Sequence, residues 1–413
     1  MSVLSVEIRR SPMRWVAPLL LLTQVTMMFT RTTEWIGQWP QTSAVAQVGT
    51  FLSGALAAAA SAWSAGRWAR VDGDLILPGG QLRALRASGY PLLAGTTWAF
   101  LAYLVGASIA AATTWWSAVA PDGFLWPNYL LLGAAVLVIG CALGHILGLF
   151  VPGPAAPPIA AVLMILLSYT WTTYSESRGT ASVLIVVSGP AAVTLSLEAL
   201  GVRVLVALLL VAAAITWTPT ALIRRGGRLS TAAVAVPMAL AAVAVASQVG
   251  RVGPLVVPRS PPPEPACAGA DIVVCVWPED IKYLNPAVDM AQRIHDASPE
   301  YGFRLPGTVY ERGVGPRPDE GFMVNAGRWM IADWLGAKAV VDTVPLCGSD
   351  DETAQRDYYT ALENLVAFAT AVAFGGAQPA DIHSTSAIPV LPGAGEARDW
   401  VWQQREAVSR ACE

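Results

Sequence analysis

The sequence predicts a membrane-embedded all-α bundle of about seven transmembrane helices, N-terminus in the cytoplasm, followed by an α-rich α+β extracytoplasmic domain. Three observations carry that expectation: a series of apolar segments of membrane-crossing length, an excess of arginine on alternate connections, and four cysteines gathered beyond residue 260. Of the 413 residues, 54% are hydrophobic and only 13% are charged, with a mean hydropathy of +0.50. A soluble domain carries charges on about a quarter of its residues. Both lysines, Lys282 and Lys338, and most of the acidic residues fall in the last part of the chain, so the two halves differ in kind. The net charge of -3 offers no basic footprint for nucleic acid, and the partner expected first is the lipid bilayer.

Taken in order, the apolar segments run from Trp15 to Phe29, Ala44 to Ala65, Pro91 to Trp116, Tyr129 to Val151, Ile159 to Tyr174, Val204 to Leu222 and Thr231 to Val249. About 20 apolar residues cross a bilayer core. None of the seven contains Asp, Glu, Lys or Arg, each of which costs roughly 2.5–3.5 kcal/mol at a helix centre. The first follows Arg9, Arg10 and Arg14 as a secretory signal would. It continues into Thr30-Arg31-Thr32-Thr33-Glu34 without a small-residue cleavage pattern, so a retained helix is expected.

Orientation follows from arginine. With the N-terminus inside, the inner segments hold Arg9, Arg10, Arg14, Arg67, Arg70, Arg83, Arg86, Arg224, Arg225 and Arg228. The outer connections hold only Arg31, Arg178 and Arg203. The positive-inside rule therefore puts the N-terminus in the cytoplasm of a multi-pass plasma-membrane protein and, after seven crossings, everything beyond Val249 outside. The apolar run Val183 to Leu197 is short and broken by Gly189-Pro190, and reads as an external interfacial or re-entrant piece.

An exterior tail lies where thiols oxidise, and it holds an even number of cysteines: Cys267, Cys275, Cys347 and Cys412. The expected bridges are Cys267 with Cys275, which are local, and Cys347 with Cys412, which would tie down the terminus. A zinc site built from Cys267, Cys275 and Cys347 with His295 or His383 is the alternative, although the Cys-x2-4-Cys knuckle of structural zinc is missing. Cys141, inside the fourth segment, is expected to be a buried free thiol.

Within the membrane part, Gly140, Gly144 and Gly148 make a flat stripe that lets another helix approach closely, either inside the bundle or between subunits of a homo- or hetero-dimer. His145 beside it reads as a neutral side chain satisfied by a backbone carbonyl. The cytoplasmic loop, residues 66–90, contains a Pro78-Gly79-Gly80 turn. Gln81 to Ala87 then has helical spacing, with Leu82, Leu85 and Arg86 on one face.

The organisation expected is thus a bundle over 1–250, a stiff proline-rich linker over 251–266, and a domain over 267–413. In that domain Asp271 to Trp277 and Ala339 to Val344 read as strands. Pro286 to Ala297, Asn325 to Leu335, Asp351 to Phe374 and Ala397 to Ala411 read as helices. Trp277, Glu279 and Tyr283 form either a ligand-facing corner or the closing edge of a core. No HExxH, G-x-S-x-G or GxxxxGK[ST] occurs, and Asp381, His383 and Ser384 are neighbours in sequence without being a triad. The chain is expected not to be an enzyme and to hold no cofactor or metal.

The second segment ending in Trp63-Ser64-Ala65-Gly66-Arg67, the basic loop with Leu82-Arg83-Ala84-Leu85-Arg86, and the apolar helices beyond resemble the membrane-spanning subunits of ABC-2-type ABC transporters of high-GC actinobacteria. The likeness covers about residues 10 to 250, and the seventh helix and the outer domain depart from that family's usual six helices. It implies a permease for an exporter, a separate ATPase partner, and a coupling contact flanked by Arg83 and Arg86, with Arg67 and Arg70 in the same loop. The other class is a non-transporting membrane-anchored sensor or assembly protein whose outer domain binds an envelope ligand or partner.

Overall fold

The computed structural model describes residues 3–70, 81–117, 123–151, 153–178, 184–223, 255–317, 319–324, 327–345, 352–375 and 394–410. The chain divides into two compact units. The first comprises residues up to Val257, except that Pro190–Ala192 groups with the second, which runs from Pro258 onward.

The first unit is helical: α1 (Val3–Arg10), α2 (Met13–Arg31), α3 (Trp39–Val48), α4 (Thr50–Arg70), α5 (Gln81–Trp115), α6 (Pro127–Phe150), α7 (Ala156–Arg178) and α8 (Leu197–Ile223). Among the described residues, four helical stretches are long and apolar enough to cross a membrane: Trp39–Arg67, Gly89–Trp115, Pro127–Phe150 and Leu197–Thr216. A shorter apolar helix covers Ala156–Ser168. This is a membrane protein by the composition and length of its helices. α2 is less apolar, because Thr23, Gln24 and Thr26 interrupt it. The seventh expected segment, Thr231 to Val249, lies outside the described residues.

Helix α4 is the axis of the unit. It packs against α2, α5, α6 and α7, and its closest neighbour is α6. The reason is Gly140, Gly144 and Gly148 of α6, which face the carbonyl oxygens of Gly54, Ala58 and Ala62. A Cβ on Gly140 would stand 2.7 Å from the Gly54 oxygen, and at Gly144 and Gly148 the approach is closer still. Ser61 adds a hydrogen bond of 2.7 Å from its Oγ to the Cys141 carbonyl. Cys141 is buried and free. With lipid as apolar as the helices themselves, such backbone proximity and interhelical hydrogen bonding are what hold a bundle together. Exposed tryptophans lie at both ends, Trp15 and Trp63 at one and Trp115 and Trp116 at the other, as the two interfaces of a bilayer favour.

Two helix expectations need correction. The helix begun at Gln81 does not lie apart from the third span: α5 is one helix of 35 residues that passes through Pro91. A single proline removes one backbone donor without ending a helix held by its neighbours. The apolar stretch of α8 also begins earlier than Val204 and takes in Glu198 and Arg203. Arg203, which was expected in an outer connection, is buried and turns its guanidinium back to the Ala199 carbonyl one turn earlier.

A two-stranded sheet pairs β1 (Val193–Leu195) with β2 (Val256–Pro258). Within the expected linker, Val256–Pro258 is thus strand, with the Ser196 N–H donating to the Leu255 carbonyl at 2.8 Å and Leu255 buried.

The second unit has a three-stranded sheet of β3 (Ala266–Ala268), β4 (Val273–Val276) and β5 (Thr308–Tyr310). Strands β3 and β4 are antiparallel, with Cys267 directly opposite Cys275. Strands β4 and β5 are parallel, joined through a 3-10 turn, Pro278–Tyr283, and α9 (Leu284–Tyr301). Parallel strands require such a crossover. Helices α10 (Arg328–Val341), α11 (Glu352–Ala373) and α12 (Ala394–Arg410) complete the unit. Its core brings together Val274, Ile294, Phe303, Leu335, Phe368 and Val401. The strand expected at Ala339 to Val344 is the end of α10 instead. Leu335, Ala339 and Val340 are buried at helical spacing, a pattern that a short apolar run shares with a strand.

Replacing Gly144 by Ala is expected to destabilise the bundle by at least about 2 kcal/mol, because backbone on both sides of the contact must move. Gly201→Ala, where nothing stands within 4 Å of the new methyl, serves as the control and leaves stability unchanged or slightly raised. Thermal unfolding of the detergent-solubilised protein measures both.

Candidate functional site

Two arrangements of buried polar groups stand out, one in each unit. In the first unit a series of uncharged polar side chains runs along α3 and its neighbours: Gln24, Gln38, Gln41, Thr42, Ser43, Gln47 and Thr114 are all buried. Gln24 fills the space left by Gly49 and Gly106, and its Nε2 donates to the carbonyls of Ala46 and Tyr103, both at 3.4 Å. Thr42 and Thr114 share a hydrogen bond of 2.6 Å.

Gln41 and Gln47 do a different task. Residues 184–192 form no helix, and Leu184, Ile185 and Val186 are buried. Their backbone donors need acceptors, since unpaired N–H groups away from water cost free energy. The Oε1 of Gln47 accepts from the Val186 N–H at 3.0 Å, and the Oε1 of Gln41 accepts from the Gly189 N–H at 3.1 Å. In this non-helical stretch two glutamines thus stand in for the helix ladder. His145 is buried, and neither ring nitrogen has a hydrogen-bond partner among the described residues, so the expected carbonyl partner is missing.

In the second unit, Cys267 and Cys275 form a disulfide. That uses two of the three thiols required by the zinc alternative, and among the described residues no group of three His, Cys, Asp or Glu side chains is placed to hold a metal. Cys347, Cys412 and the stretch Asp381 to Ser386 lie outside the described residues.

Of the two readings of Trp277, Glu279 and Tyr283, their placement matches the closing edge of a core. Trp277 and Tyr283 are buried, so neither ring offers a face to a ligand. The indole Nε1 donates to the Arg312 carbonyl at 2.9 Å. Gly313 (φ 85°) follows, where a side chain would stand 3.1 Å from the ring. Arg259 lies over the indole at 4.7 Å, and its Nη1 pairs with Glu279 Oε1 at 2.6 Å. That stack is a cation–π contact closed by an ion pair.

Behind this edge two acids, Asp280 and Glu311, come together. Asp280 is 1% exposed and Glu311 2%. Glu311 Oε2 accepts the backbone N–H of Trp277 at 2.9 Å, and the Asp280 and Glu311 carboxyls are hydrogen-bonded to each other. Burial, then the neighbouring Asp280 charge, raises the Glu311 pKa well above the carboxylate value of 4.5, while the Trp277 N–H opposes the rise. Dispersed in sequence as Asp280 and Glu311, these acids become neighbours only through the crossover.

Of the loop residues expected to meet an ATPase, Arg83 and Arg86 fall in the first turns of α5, Arg67 is exposed near the end of α4, and Arg70 is its last residue. The glycine stripe, as described, is occupied by α4.

In comparisons with known proteins, no family model, no curated protein and no solved structure matches this chain.

Gln47→Leu is expected to leave the Val186 N–H without its acceptor and to cost about 1–3 kcal/mol, read as a lower unfolding temperature of the membrane unit. Cys267→Ser is expected to make Cys275 alkylatable under non-reducing conditions, detectable by mass spectrometry. It should also lower the stability of the second unit by about 2–3 kcal/mol, the value for so short a closed loop.

Proposed function

We propose that this chain is the membrane subunit of an ATP-driven exporter of the ABC-2 kind, with its N-terminus and the loop 66–90 in the cytoplasm and its disulfide-bonded second unit outside. One observation carries the number of crossings. Leu255 is hydrogen-bonded to Ser196 at the start of α8, while α8 ends at Ile223, about 40 Å away at 1.5 Å per residue. Leu255 therefore lies at the opposite end of α8 from Ile223. Together with the apolar segment Thr231 to Val249, this supports a last crossing and an odd total of seven. A disulfide in the second unit fits an oxidising exterior.

The coupling role rests on α5. Its first turns, which hold Arg83 and Arg86, are continuous with the span Gly89–Trp115. A push delivered there by a cytoplasmic ATPase reaches the bundle core without passing through a loop. No nucleotide-binding loop occurs in this chain, so ATP would be hydrolysed by that partner.

A second reading is a membrane-anchored sensor with no transport path, and the buried Asp280 and Glu311 favour it. Affinity purification from the native membrane distinguishes the two. An exporter subunit is expected to bring down an ATPase, with at least about a tenfold loss of that partner in the double variant Arg83→Glu, Arg86→Glu; purification without any ATPase supports the sensor. An impermeant protease applied to intact cells is expected to cut the second unit and spare a tag on Met1, and the reverse result would invert the topology.

A further inference from the structure

The acids behind Trp277 have no part in the exporter reading, and their arrangement belongs to the second unit alone. The turn Pro278–Tyr283 starts from Trp277, whose backbone N–H is held by Glu311 and whose carbonyl accepts from the Asp280 N–H at 2.9 Å. Glu311 in turn is fixed at the end of β5, with its N–H donating to the Cys275 carbonyl at 2.8 Å and its backbone bridged to Phe322. The two carboxyls are thus the polar contact between a six-residue turn and the sheet, beside the apolar one made by Tyr283, and both lie out of reach of water.

We propose that the Asp280–Glu311 pair is a proton-operated latch: with a proton shared between them it holds the turn Trp277–Tyr283 to the end of β5, and loss of that proton to solvent lets the turn come away. Two carboxylates in one buried site repel, and neither can be rehydrated without movement of the turn. The surrounding charges do not relieve this. Glu279, from the same turn, adds negative charge and is paired with Arg259, which approaches from the segment before β3 and also covers Trp277. Arg312, which follows Glu311, directs its guanidinium to Met323 Sδ at 3.7 Å, and Lys282 lies over the Tyr283 ring.

The direction of the response follows from the raised Glu311 pKa. Below about pH 4.5 the carboxyl is protonated in both folded and unfolded chains. Between that value and the raised one, the folded unit keeps a proton that the unfolded chain has lost, so stability falls as pH rises. The latch is closed in acid and opens toward neutral and alkaline pH, which makes the second unit responsive to acidification of the compartment it faces.

Hydrogen–deuterium exchange of the full chain in detergent, read by mass spectrometry and corrected for the intrinsic pH dependence of exchange, tests this. Protection of the peptide over 277–284 is expected to fall by about tenfold or more from about pH 5 to about pH 8, since each unit of one-proton linkage is worth a factor of ten. The strands Ala266–Ala268 and Val273–Val276 should stay protected as an internal standard. Glu311→Gln retains an acceptor for the Trp277 N–H and cannot ionise, and it is expected to hold the peptide protected across the whole range. Asp280→Asn is expected to flatten the profile likewise, and it decides the matter if Glu311→Gln strips protection from the strands. A flat wild-type profile, or a pH-dependent one that the folded variants leave unchanged, overturns the latch.

Discussion

The contact between the backbones of α4 and α6 is the constraint on which the membrane unit depends. Three glycines of one helix lie against three carbonyls of the other at the same four-residue spacing, so the two axes are locked in register along their length. Once that pair is fixed, α2, α5 and α7 have only the remaining faces of α4 to occupy, and α8 takes a face of α6. Such a contact draws on van der Waals attraction and on Ser61, and is indifferent to whether water or lipid surrounds it. It also explains the alanine-rich composition of α4, where a larger side chain would hold the helices apart.

Polar residues supply what close packing cannot. A bundle that admits non-helical backbone must provide acceptors for it, and here amide side chains do so without the desolvation cost of a charge. Gln41 and Gln47 bind the backbone of 184–189, and Gln24 ties α2 to the segments on either side. In the second unit the same demand is met differently, by carboxyls whose lone pairs accept from a strand-end amide and from each other.

Much of the helical layout was legible in the sequence because apolar length and the absence of charge are local properties. The boundaries of α2 and α6, the local disulfide, and the non-helical character of the Gly189-Pro190 stretch all follow from neighbouring residues. What was not legible depends on partners distant in the chain. The tail of α10 carries an apolar run that suits a strand equally well, and only its packing against α11 makes it helical. Arg203 falls within α8 because its long side chain can fold back along the helix, which a count of charges does not anticipate. The roles of Gln41 and Gln47 lie in backbone 148 and 139 residues further along the chain. Asp280 and Glu311 were missed because thirty residues separate them, and only the crossover from β4 to β5 makes them neighbours.

The unbroken course of α5 has a mechanical consequence. A rod without a joint at the bilayer surface behaves as a lever, with the ten residues before Pro91 extending about 15 Å from that point. A tilt of only about 10° in the buried arm then sweeps the free tip through roughly 2–3 Å, enough to exchange one set of side-chain neighbours for another. Small rearrangements around the glycine-locked axis would therefore be carried to the turns where the arginines begin, with the proline as the natural fulcrum.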